Sequence, residues 1–505
     1  MKHFRLFIYQ ILLFSSIYSY GQQSDSLAIK LKDKQDVLYV FQESIYANPS
    51  NYLDYKKYNL TSFKASKQTR KNKTSIMQNG KDSESLLFDA DAYHKLDDNS
   101  AVWGSASYQQ GKRKDVQWNE SADYNLIYPY VVADSVGGDI KYENYHIAGG
   151  YVQRFGRYNV GISGFYNAKM EYRNIDPRPK NLSTRLGGKL GVSRTWNDHI
   201  AIGVNTGIEK YTQKHNMSFY SLTGFPVIYE MSGMGNFNSL LKGTRKKAYY
   251  EGWNYSFDVQ LYDVKNKSWF VTIGTNVFNF EKLLLDFDDL QASKAKDVQR
   301  YFSAGKLFTV RDVKLGLRLD GSTKKRIGTE NLFINVSTTN FLKIGQEERY
   351  KYEENSFKLS GLLKYEVGNN NYSAIPYIGF NQQIERYKKT YSKTDIQYTH
   401  IGTELQWLHT FKDRSLLSMY ASWSMRKTNK ESANFNYGDS NAINQMLLDN
   451  YGVQIAEYSL GRMRARYDFV LPKVINVFVE GEYSYQDFKK YLSNNSISVS
   501  VGITF

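Results

Sequence analysis

Arginines at every second position mark the segment of the chain best suited to bind a solute. They are Arg462, Arg464 and Arg466, interleaved with and followed by Met463, Ala465, Tyr467 and Phe469. Successive side chains of a β-strand point to opposite faces, so a strand here presents its arginines to one side and its apolar side chains to the other. A row of arginines that lines a pore forms an anion-binding wall or sets a transverse field at a constriction.

Two glutamates in the following segment are predicted to face these arginines. Antiparallel partners keep a constant index sum, so a tight turn near Lys473 predicts three cross-strand pairs. These are Arg466–Glu480, Arg464–Glu482 and Arg462–Ser484. Arg426, one strand earlier, is predicted to belong to the same charged surface. Such a ladder of charges either binds a solute at a constriction or is a lattice of salt bridges that stiffens the wall or holds a plug, and the sequence leaves both interpretations open.

The strand that ends the chain shows the same alternation. Its apolar positions are Ile497, Val499, Val501, Ile503 and Phe505, with small or polar residues between them. A water-soluble sheet can also have one dry face and one wet face. The ending resembles the closing strand of single-chain Gram-negative outer-membrane β-barrels. That resemblance implies that Val501, Ile503 and Phe505 belong to the signal read by the barrel assembly machinery.

Short and long connections alternate along the chain from about residue 58. The long ones are expected at 114–140, 174–182, 216–245, 285–300, 430–455 and 488–494, and residues 61–80 are also interpreted as a loop. In outer-membrane barrels short turns face the periplasm and long loops face outside. We therefore expect an all-β fold, a transmembrane antiparallel up-and-down β-barrel of about 18 strands (about 16–20) over residues 58–505. An arginine facing hydrocarbon at mid-depth costs about 2–4 kcal/mol, so the charged ladder must face the lumen.

The N-terminus carries an export signal. Basic residues precede an apolar run, residues 6–19, that is too short to span a bilayer as a helix. Small residues at Ser19 and Gly21 suit signal peptidase, so residues 1–21 are predicted to be a signal peptide, with an N-terminal anchor helix as the alternative. Residues 22–57 would then form a periplasmic segment or a small plug. The chain has no cysteine, which excludes disulfides and lipoprotein processing.

Composition narrows the class of protein and of partner. The 505 residues include 43 tyrosines and carry a formal charge of +16, and a mean hydropathy of -0.56 excludes a helical membrane protein. Lipopolysaccharide phosphates, rather than nucleic acid, are the natural counter-charge for an exported basic protein, although lysines that keep loops soluble explain the charge equally well. Basic residues slightly outnumber acidic ones among the predicted luminal positions, so we expect a mild preference for anions.

The whole pattern resembles barrels of unknown function that Gram-negative bacteria encode beside TonB-dependent receptors. The resemblance covers the barrel region and implies an outer-membrane location, contact with outer-membrane lipid and lipopolysaccharide, and assembly by the barrel assembly machinery. A TonB-dependent receptor or another envelope protein is a candidate partner. The sequence departs from those receptors in lacking a large plug domain before the barrel, so energised uptake by this chain alone is not expected.

One long loop has a composition suited to folding inward. Gly224, Met231, Met234 and Phe237 lie in a glycine-rich, semi-apolar stretch that would form a constriction or cap, or contact a partner. No catalytic set is predicted. His400 and Glu404 share a face about 13 Å apart, at about 3.3 Å per residue, which is too far for a dyad. No phosphate loop, HExxH motif or Cys/His cluster occurs, and residues 286–289 are interpreted as a solvated acidic turn, so no enzyme, cofactor or metal is expected.

The sequence leaves two functional classes open. The first is a channel or facilitated transporter for a small polar or anionic solute. The second is a non-transporting barrel that acts as an accessory subunit of an outer-membrane complex or as a surface receptor or adhesin. An open lumen with the arginines at its narrowest point would favour the first class. A filled lumen with an apolar patch on the outer wall would favour the second.

Overall fold

The protein is a closed barrel of antiparallel strands. A computed structural model describes residues 24–197, 199–221, 224–243, 247–336, 341–436, 440–471 and 475–505. The predicted signal peptide and the predicted turn at Lys473 lie outside these residues. Eighteen strands form one sheet in which neighbours are antiparallel and the first strand pairs with the last. The predicted fold class and strand number are confirmed.

The barrel strands follow one another around the wall in chain order. They are β1 (Leu60–Asn72), β2 (Asp82–Lys95), β3 (Ser100–Val116), β5 (Gly138–Phe155), β6 (Tyr158–Tyr172), β7 (Arg178–Trp196), β8 (Ile200–Ser218), β11 (Lys247–Asp263), β12 (Trp269–Leu284), β13 (Leu290–Val310), β14 (Val313–Asn335), β15 (Phe341–Val367), β16 (Asn370–Tyr387), β17 (Ser392–Thr410), β18 (Leu416–Asn434), β19 (Tyr458–Leu471), β20 (Ile475–Phe488) and β21 (Asn494–Thr504). Short strands β4 (Val132–Ala133), β9 (Tyr229–Gly233) and β10 (Asn236–Phe237) form a separate sheet.

The outer face of the wall is apolar because outward and inward side chains alternate along each strand. In β21, Ile497, Val499 and Val501 are each more than half exposed, whereas Ser496 and Ser500 are buried. Exposed leucine and isoleucine side chains continue this belt on β7 and β8. A closed sheet has no unpaired edge, and an apolar belt around it is the surface that a lipid bilayer covers.

The loop expected over residues 61–80 is wrong, because most of this segment is strand β1. Its outward face pairs Phe63 with Ile503 and Ala65 with Val501, which closes the barrel. Beyond Ala65 the outward residues are Lys67, Thr69 and Lys71, so only a short part of the strand is apolar. The polar composition of this segment therefore did not indicate a strand, although β1 pairs with both β2 and β21.

The loop expected over residues 285–300 is also wrong. The connection ends at Asp289, and β13 begins at Leu290. The outward face of the first part of β13 carries Lys294 and Lys296, both exposed, instead of apolar side chains. Strands β13 to β18 are 18 to 27 residues long, against 11 to 14 for β19 to β21. Their extra length leaves the apolar belt, so its sequence looks like a loop.

Residues 24–58 form a compact layer, the N-terminal disc, at the end of the barrel that carries the short turns. It consists of helices α1 (Ser24–Lys34) and α2 (Leu38–Phe41) and two turns of 3₁₀ helix, Glu43–Ala47 and Pro49–Asp54. Within the described residues no helix is both long enough and apolar enough to cross a membrane.

The disc follows the inner wall through most of its circumference. Leu27 and Leu31 pack against Leu408 and Leu416 of β17 and β18, and Phe41 packs against Phe270 of β12. Farther along, Asn48 donates to the carbonyl of Val204 on β8, and Tyr52 stacks on Trp103 of β3 with ring centroids 4.2 Å apart. The opposite arcs meet where Tyr55 contacts Tyr39 and Tyr46.

The opposite end of the barrel is filled by its long connections, which we call the loop cap. The cap comprises residues 117–137 with helix α3 (Tyr124–Ile127), the described part of residues 219–243, and helix α4 (Asn441–Ile455). Strand β9 joins β4 to β10 across the cap. Apolar cap residues such as Ile127 and Ile228 share one core with wall residues Tyr211, Tyr250 and Phe278.

Candidate functional site

The strand pairing of β15 to β19 lines up a polar inner wall between the disc and the cap. Inward residues fall in rows that cross the strands, one row every second residue. From the cap towards the disc the central rows are Ser356–Asn381–Tyr398, Lys358–Gly379–His400–Arg426–Tyr458, Ser360–Tyr377–Gly402–Ser424–Leu460, Ile375–Glu404–Ser422–Arg462 and Lys364–Ser373–Gln406–Tyr420–Arg464. We call this surface the inner wall. It is the region that could hold a solute.

The charged ladder has the backbone register that the sequence predicts. Strand β19 pairs with β20 as Arg462–Ser484, Arg464–Glu482 and Arg466–Glu480. The side chains interact differently from the backbone pairs. Arg462 lies diagonally 3.6 Å from the Glu482 carboxylate and remains 45% exposed, and Arg464 lies over the ring of Tyr420 at 5.0 Å. Arg462 and Arg464 therefore face the space between disc and cap.

Arg466 contributes to the attachment of the disc and does not face the open space. It makes two hydrogen bonds, of 2.7 and 2.9 Å, to the fully buried Asp468 on its own strand, and it stacks on Phe478 at 3.5 Å. Asp468 also accepts a hydrogen bond of 2.9 Å from Gln35 of the disc. Asp468 thus links the bottom of the ladder to the disc, whereas the predicted side-chain partner of Arg466 was Glu480.

Arg426 is placed away from the rest of the ladder. Its guanidinium donates to the backbone carbonyls of Ala456 and Val453 at the C-terminal end of α4, and it stacks between the rings of Tyr398 and Tyr458 at 4.8 and 4.6 Å. Unsatisfied carbonyls at a helix C-terminus attract a cation. Arg426 therefore fixes α4 to the wall.

Tyrosines of the inner wall are functional candidates that the sequence reasoning missed. Tyr377 has the ammonium of Lys358 4.5 Å from its ring centre, and the hydroxyl of Tyr420 donates to Glu404 at 3.1 Å. Gly402 makes room for Tyr377, because a Cβ there would lie 2.6 Å from the tyrosine oxygen. The alternation of β16 and β18 already assigned these rings to the inward face, so their parity was the available signal.

Two cavities border the inner wall. The first, of about 530 Å³, lies above α2 and is lined by Arg318, Asp320, Lys358 and Glu404. Arg318 also binds the disc, donating to the carbonyls of Val40 and Phe41 at 2.9 and 3.0 Å. The cavity is therefore floored by the disc and walled by charges of both signs.

The second cavity, the outer pocket, has a volume of about 320 Å³ and lies between the cap, α4 and strands β14 to β17. Its lining includes Tyr128, Tyr352, Glu354, Gln383 and Tyr451. Tyr128 of the cap donates a hydrogen bond of 2.6 Å to Glu385. Burial and the nearby Glu385 carboxylate raise the pKa of the Tyr128 phenol well above its usual value, so this group remains a hydrogen-bond donor.

The glycine-rich loop that was expected to turn inward lies within the cap. Met231 and Met234 are 7% and 5% exposed, and Phe237 packs edge-on against Tyr229. Gly224 lies outside this packed part, with a φ of +121° and no atom within 4 Å of where a Cβ would be. The cap is held to the wall by Arg326, which donates to the carbonyls of Asn125 and Leu126 at 3.2 and 3.0 Å.

The last strand is joined to the first at the end of the chain. Phe505 and Thr61 exchange backbone hydrogen bonds of 2.9 and 2.7 Å, and the Phe505 ring stacks on Phe63 at 6.1 Å. Val501 and Ile503 face outward on the same strand. The recognition of these three residues by the assembly machinery stays a prediction.

His, Asp and Glu side chains are other groups in the described part of the chain that could bind a ligand or transfer a proton. No group of three or more His, Asp or Glu side chains there is placed to hold a metal ion. His400 faces the same side as Glu404, two rows away, and lies in the row of Arg426. Burial lowers the pKa of three lysines of the disc, Lys30, Lys32 and Lys56, and that of Lys56 falls to about 8 against the opposing effect of Asp33.

The fold and the lumen together define a membrane-spanning β-barrel whose two ends are filled by its own N-terminal segment and its own loops. A family model for DUF6850, a family of unknown function, matches residues 49–505. The chain belongs to this family.

Comparison with solved structures gives matches at low sequence identity. The ferric preacinetobactin receptor BauA from Acinetobacter baumannii is 7% identical, with 89% of this chain and 80% of that chain covered and a TM-score of 0.40. The outer membrane transporter YddB from Escherichia coli is 10% identical, with 89% and 81% covered and a TM-score of 0.40. OpdK from Pseudomonas aeruginosa, in a structure with vanillate, is 10% identical, with 88% and 99% covered and a TM-score of 0.30. The comparison with curated proteins gave no significant match.

Proposed function

We propose that the protein lies in the outer membrane of a Gram-negative bacterium and carries a small polar or anionic solute through its lumen. In this orientation the disc closes the periplasmic mouth and the loop cap closes the outer one. The apolar belt supports the membrane location. Outer-membrane lipid, lipopolysaccharide and the assembly machinery are then its general partners, and a TonB-dependent receptor is a candidate specific one.

The observation that carries the proposal is the part of the arginine ladder that neither closure uses. Arg466 pairs with Asp468, which holds Gln35 of the disc, and Arg426 binds the cap, but Arg462 and Arg464 face the intervening space. Arg462 stays 45% exposed although it lies inside a barrel that is filled at both ends. Guanidinium groups in a hydrated lumen attract carboxylate or phosphate groups of a passing solute. These two side chains therefore form the proposed solute contact.

Passage requires the disc to move, and polar contacts hold much of it. Ion pairs join Lys364 to Asp36, Arg318 to Glu43 and Arg154 to Asp54. Both side chains of the Arg154–Asp54 pair are partly exposed, and water and salt weaken an exposed pair of this kind. The disc is thus suited to act as a gate.

The decisive experiment opens and locks the disc in turn. In planar bilayers the loosened variant R318Q/K364Q is expected to show anion-preferring conductance, while the unaltered protein stays mostly closed. The control variant K325Q/R300Q removes two exposed charges of the outer wall and should behave like the unaltered protein.

The lock is an engineered disulfide between the disc and the wall. It forms without competing pairings because the chain has no cysteine of its own. A Cβ at Gly191 would lie 2.9 Å from Cγ of Asn48, the atom that the sulfur replaces in N48C. The two residues are therefore close enough for a disulfide. Adding N48C/G191C to the loosened variant should abolish conductance when oxidised and restore it when reduced. A loosened variant that folds to a heat-modifiable barrel and never conducts would contradict transport.

Two observations together favour the alternative of an accessory subunit or surface receptor. Both ends of the lumen are filled, and the outer wall has an apolar groove lined by Ala374, Ala421, Ala465 and Gly481 between larger side chains. A membrane partner seated there would explain a barrel that does not conduct. Co-purification of a partner with the unaltered barrel, lost in A465W or G481W, would establish this alternative if the loosened variant also fails to conduct.

A further inference from the structure

The inner wall carries tyrosine rings at several heights between the outer pocket and the arginines. Tyr352, Tyr377, Tyr420 and Tyr458 face inward, and each is partly exposed. The row of Tyr352 contains Glu385, and the row of Tyr420 contains Ser373. The twelve residues of β16 between these rows span about 40 Å at about 3.3 Å per residue. The rings therefore line a path long enough to connect the two closures.

Charged side chains hold several of these rings in place. Lys358 and Arg464 lie 4.5 and 5.0 Å from the ring centres of Tyr377 and Tyr420, and the hydroxyl of Tyr352 donates to Glu354 at 3.0 Å. A cation over one face of a ring stabilises the orientation of that ring. The exposed parts of the rings are thus fixed surfaces suited to recognition.

The groups between the rings both donate and accept hydrogen bonds. Glu354, Glu404 and Glu482 supply acceptors, and Lys358, Arg462 and Arg464 supply donors, so groups of both signs lie along the path. Such a wall suits a ligand that carries many hydroxyl groups, because each hydroxyl both donates and accepts hydrogen bonds.

Glycines line part of the opposite wall, but the space in front of them is filled. The inward positions of β6, β7 and β8 include Gly161, Gly187, Gly191, Gly203 and Gly207. Glycines nearest the disc accept its backbone, since a Cβ at Gly161 would lie 2.4 Å from Pro49. The side chains of Phe165 and Ser256 cover Gly187 and Gly207 in the same way, each 2.5 Å from where a Cβ would be, so the exposed tyrosines lie on the other wall.

From the fixed tyrosine rings and the hydrogen-bonding groups between them we propose that the inner wall is a binding track for an oligosaccharide, running from the outer pocket to Arg462 and Arg464. The proposal rests on the transport function and names the class of its solute. Sugar rings have an apolar face of C–H groups that packs on aromatic rings and a rim of hydroxyls that bonds with carboxylates, amides and guanidinium groups. The outer pocket, at about 320 Å³, is near the lower end of the usual range for small-molecule sites, about 300–1,000 Å³.

The test is equilibrium binding, which does not require conduction. Purified full-length protein and the loosened variant R318Q/K364Q would be titrated by calorimetry with maltohexaose, chitohexaose and oligogalacturonate. At least one of these saccharides should bind. Y377A and Y420A should each weaken that binding about tenfold or more, which corresponds to about 1.4 kcal/mol. Y377F should bind like the unaltered protein, because it keeps the ring face.

The control is Tyr166→Ala, which removes an exposed tyrosine from the outer face of β6. Binding of none of the saccharides to either protein, while the loosened variant conducts, would overturn the track and leave transport standing. Binding that Y377A and Y420A do not change would also overturn it. Binding that follows the predicted pattern in a protein that never conducts would support the track and contradict transport.

Discussion

Neighbouring arginines on one strand have different surroundings and therefore different expected roles. Arg466 is hydrogen-bonded to the buried Asp468, which also holds Gln35 of the disc. Arg462, four residues earlier on the same face, has one loose ion pair and is largely exposed. A buried charge that loses its partner is strongly destabilising, whereas an exposed pair contributes little. The two positions can be separated by experiment.

We expect Arg466→Gln to release the disc and Arg462→Gln to leave it in place. Loss of Arg466 leaves the carboxylate of Asp468 without its cation, and removal of one partner of such a buried pair costs about 3–5 kcal/mol. Limited proteolysis of residues 24–58 in the folded barrel measures the difference. Equal protection of the disc in both variants would show that Arg466 does not anchor it.

Arg464→Gln is expected to reduce anion preference without closing the channel. Its guanidinium lies over Tyr420 and faces the lumen, so its removal takes away positive charge from the path but no wall contact of the disc. The reversal potential of R464Q in the R318Q/K364Q background should shift towards cations under a salt gradient. Ser459→Gln, on the outer face of the same strand, is the matched control.

At the level of residues, the sequence predicted backbone partners better than side-chain partners. The constant index sum placed Arg462, Arg464 and Arg466 opposite the correct residues. It could not show that Arg466 prefers Asp468, two residues along its own strand, because that choice depends on the disc. Arg426 was likewise assigned to the lumen by parity, whereas its contact with α4 depends on a loop fold that no strand pattern encodes.

Among the elements, the disc depends on glycines that face it. Gly161 and Gly191 lie under Pro49 and Asn48, where any larger side chain would meet backbone or the amide group. Overpacking of a tight contact costs about 1–3 kcal/mol. These positions fit the disc to the wall by the absence of a side chain.

Gly161→Ala should therefore displace the disc, whereas Gly188→Ala should not. A Cβ at Gly161 would lie 2.4 Å from backbone atoms of Pro49, but a Cβ at Gly188 would lie 3.5 Å from its nearest neighbour. In G161A we expect faster proteolytic cleavage of the disc and a higher basal conductance than in G188A. Identical cleavage rates for the two variants would mean that the disc adapts to the added methyl group.

Arg326 is the corresponding anchor of the cap. It is nearly buried, pairs with Asp297 through hydrogen bonds of 2.5 and 2.6 Å and donates to three carbonyls of residues 125–128. Arg326→Gln should loosen α3 and increase hydrogen exchange of residues 120–131 without lowering barrel yield. Exchange in the disc serves as the internal reference, since Arg326 does not touch it.

How well each element could be predicted depends on how much of it faces lipid. Strands with a full apolar belt, such as β7, β8 and β21, were visible from alternation. Strand β1 was missed because its outward face is apolar only at Phe63 and Ala65, and the first part of β13 was missed because it extends beyond the belt. The disc gave only a weak helical pattern around residues 36–45, because its 3₁₀ turns are shaped by the wall that surrounds them.

For the whole molecule, closure of the barrel and filling of its lumen are linked. Strand β1 follows the disc directly, so the same segment that enters the lumen also supplies the strand that pairs with β21. Strand β21 provides the edge on which β1 docks to close the barrel. A defect in this seam should affect the yield of closed barrels more than the behaviour of those that form.

Phe505→Ala is expected to lower the amount of heat-modifiable barrel recovered from membranes. Phe505 stacks on Phe63 at 6.1 Å and exchanges two backbone hydrogen bonds with Thr61. Aromatic cross-strand pairs contribute about 0.2–1 kcal/mol, which is too little to unfold a finished barrel but enough to slow the docking of its last strand. Phe308→Ala, which removes an exposed ring from β13, is the control. Similar yields for F505A and F308A would place the determinant of closure elsewhere, and a lower melting temperature of the purified F505A barrel would assign Phe505 to stability instead of assembly.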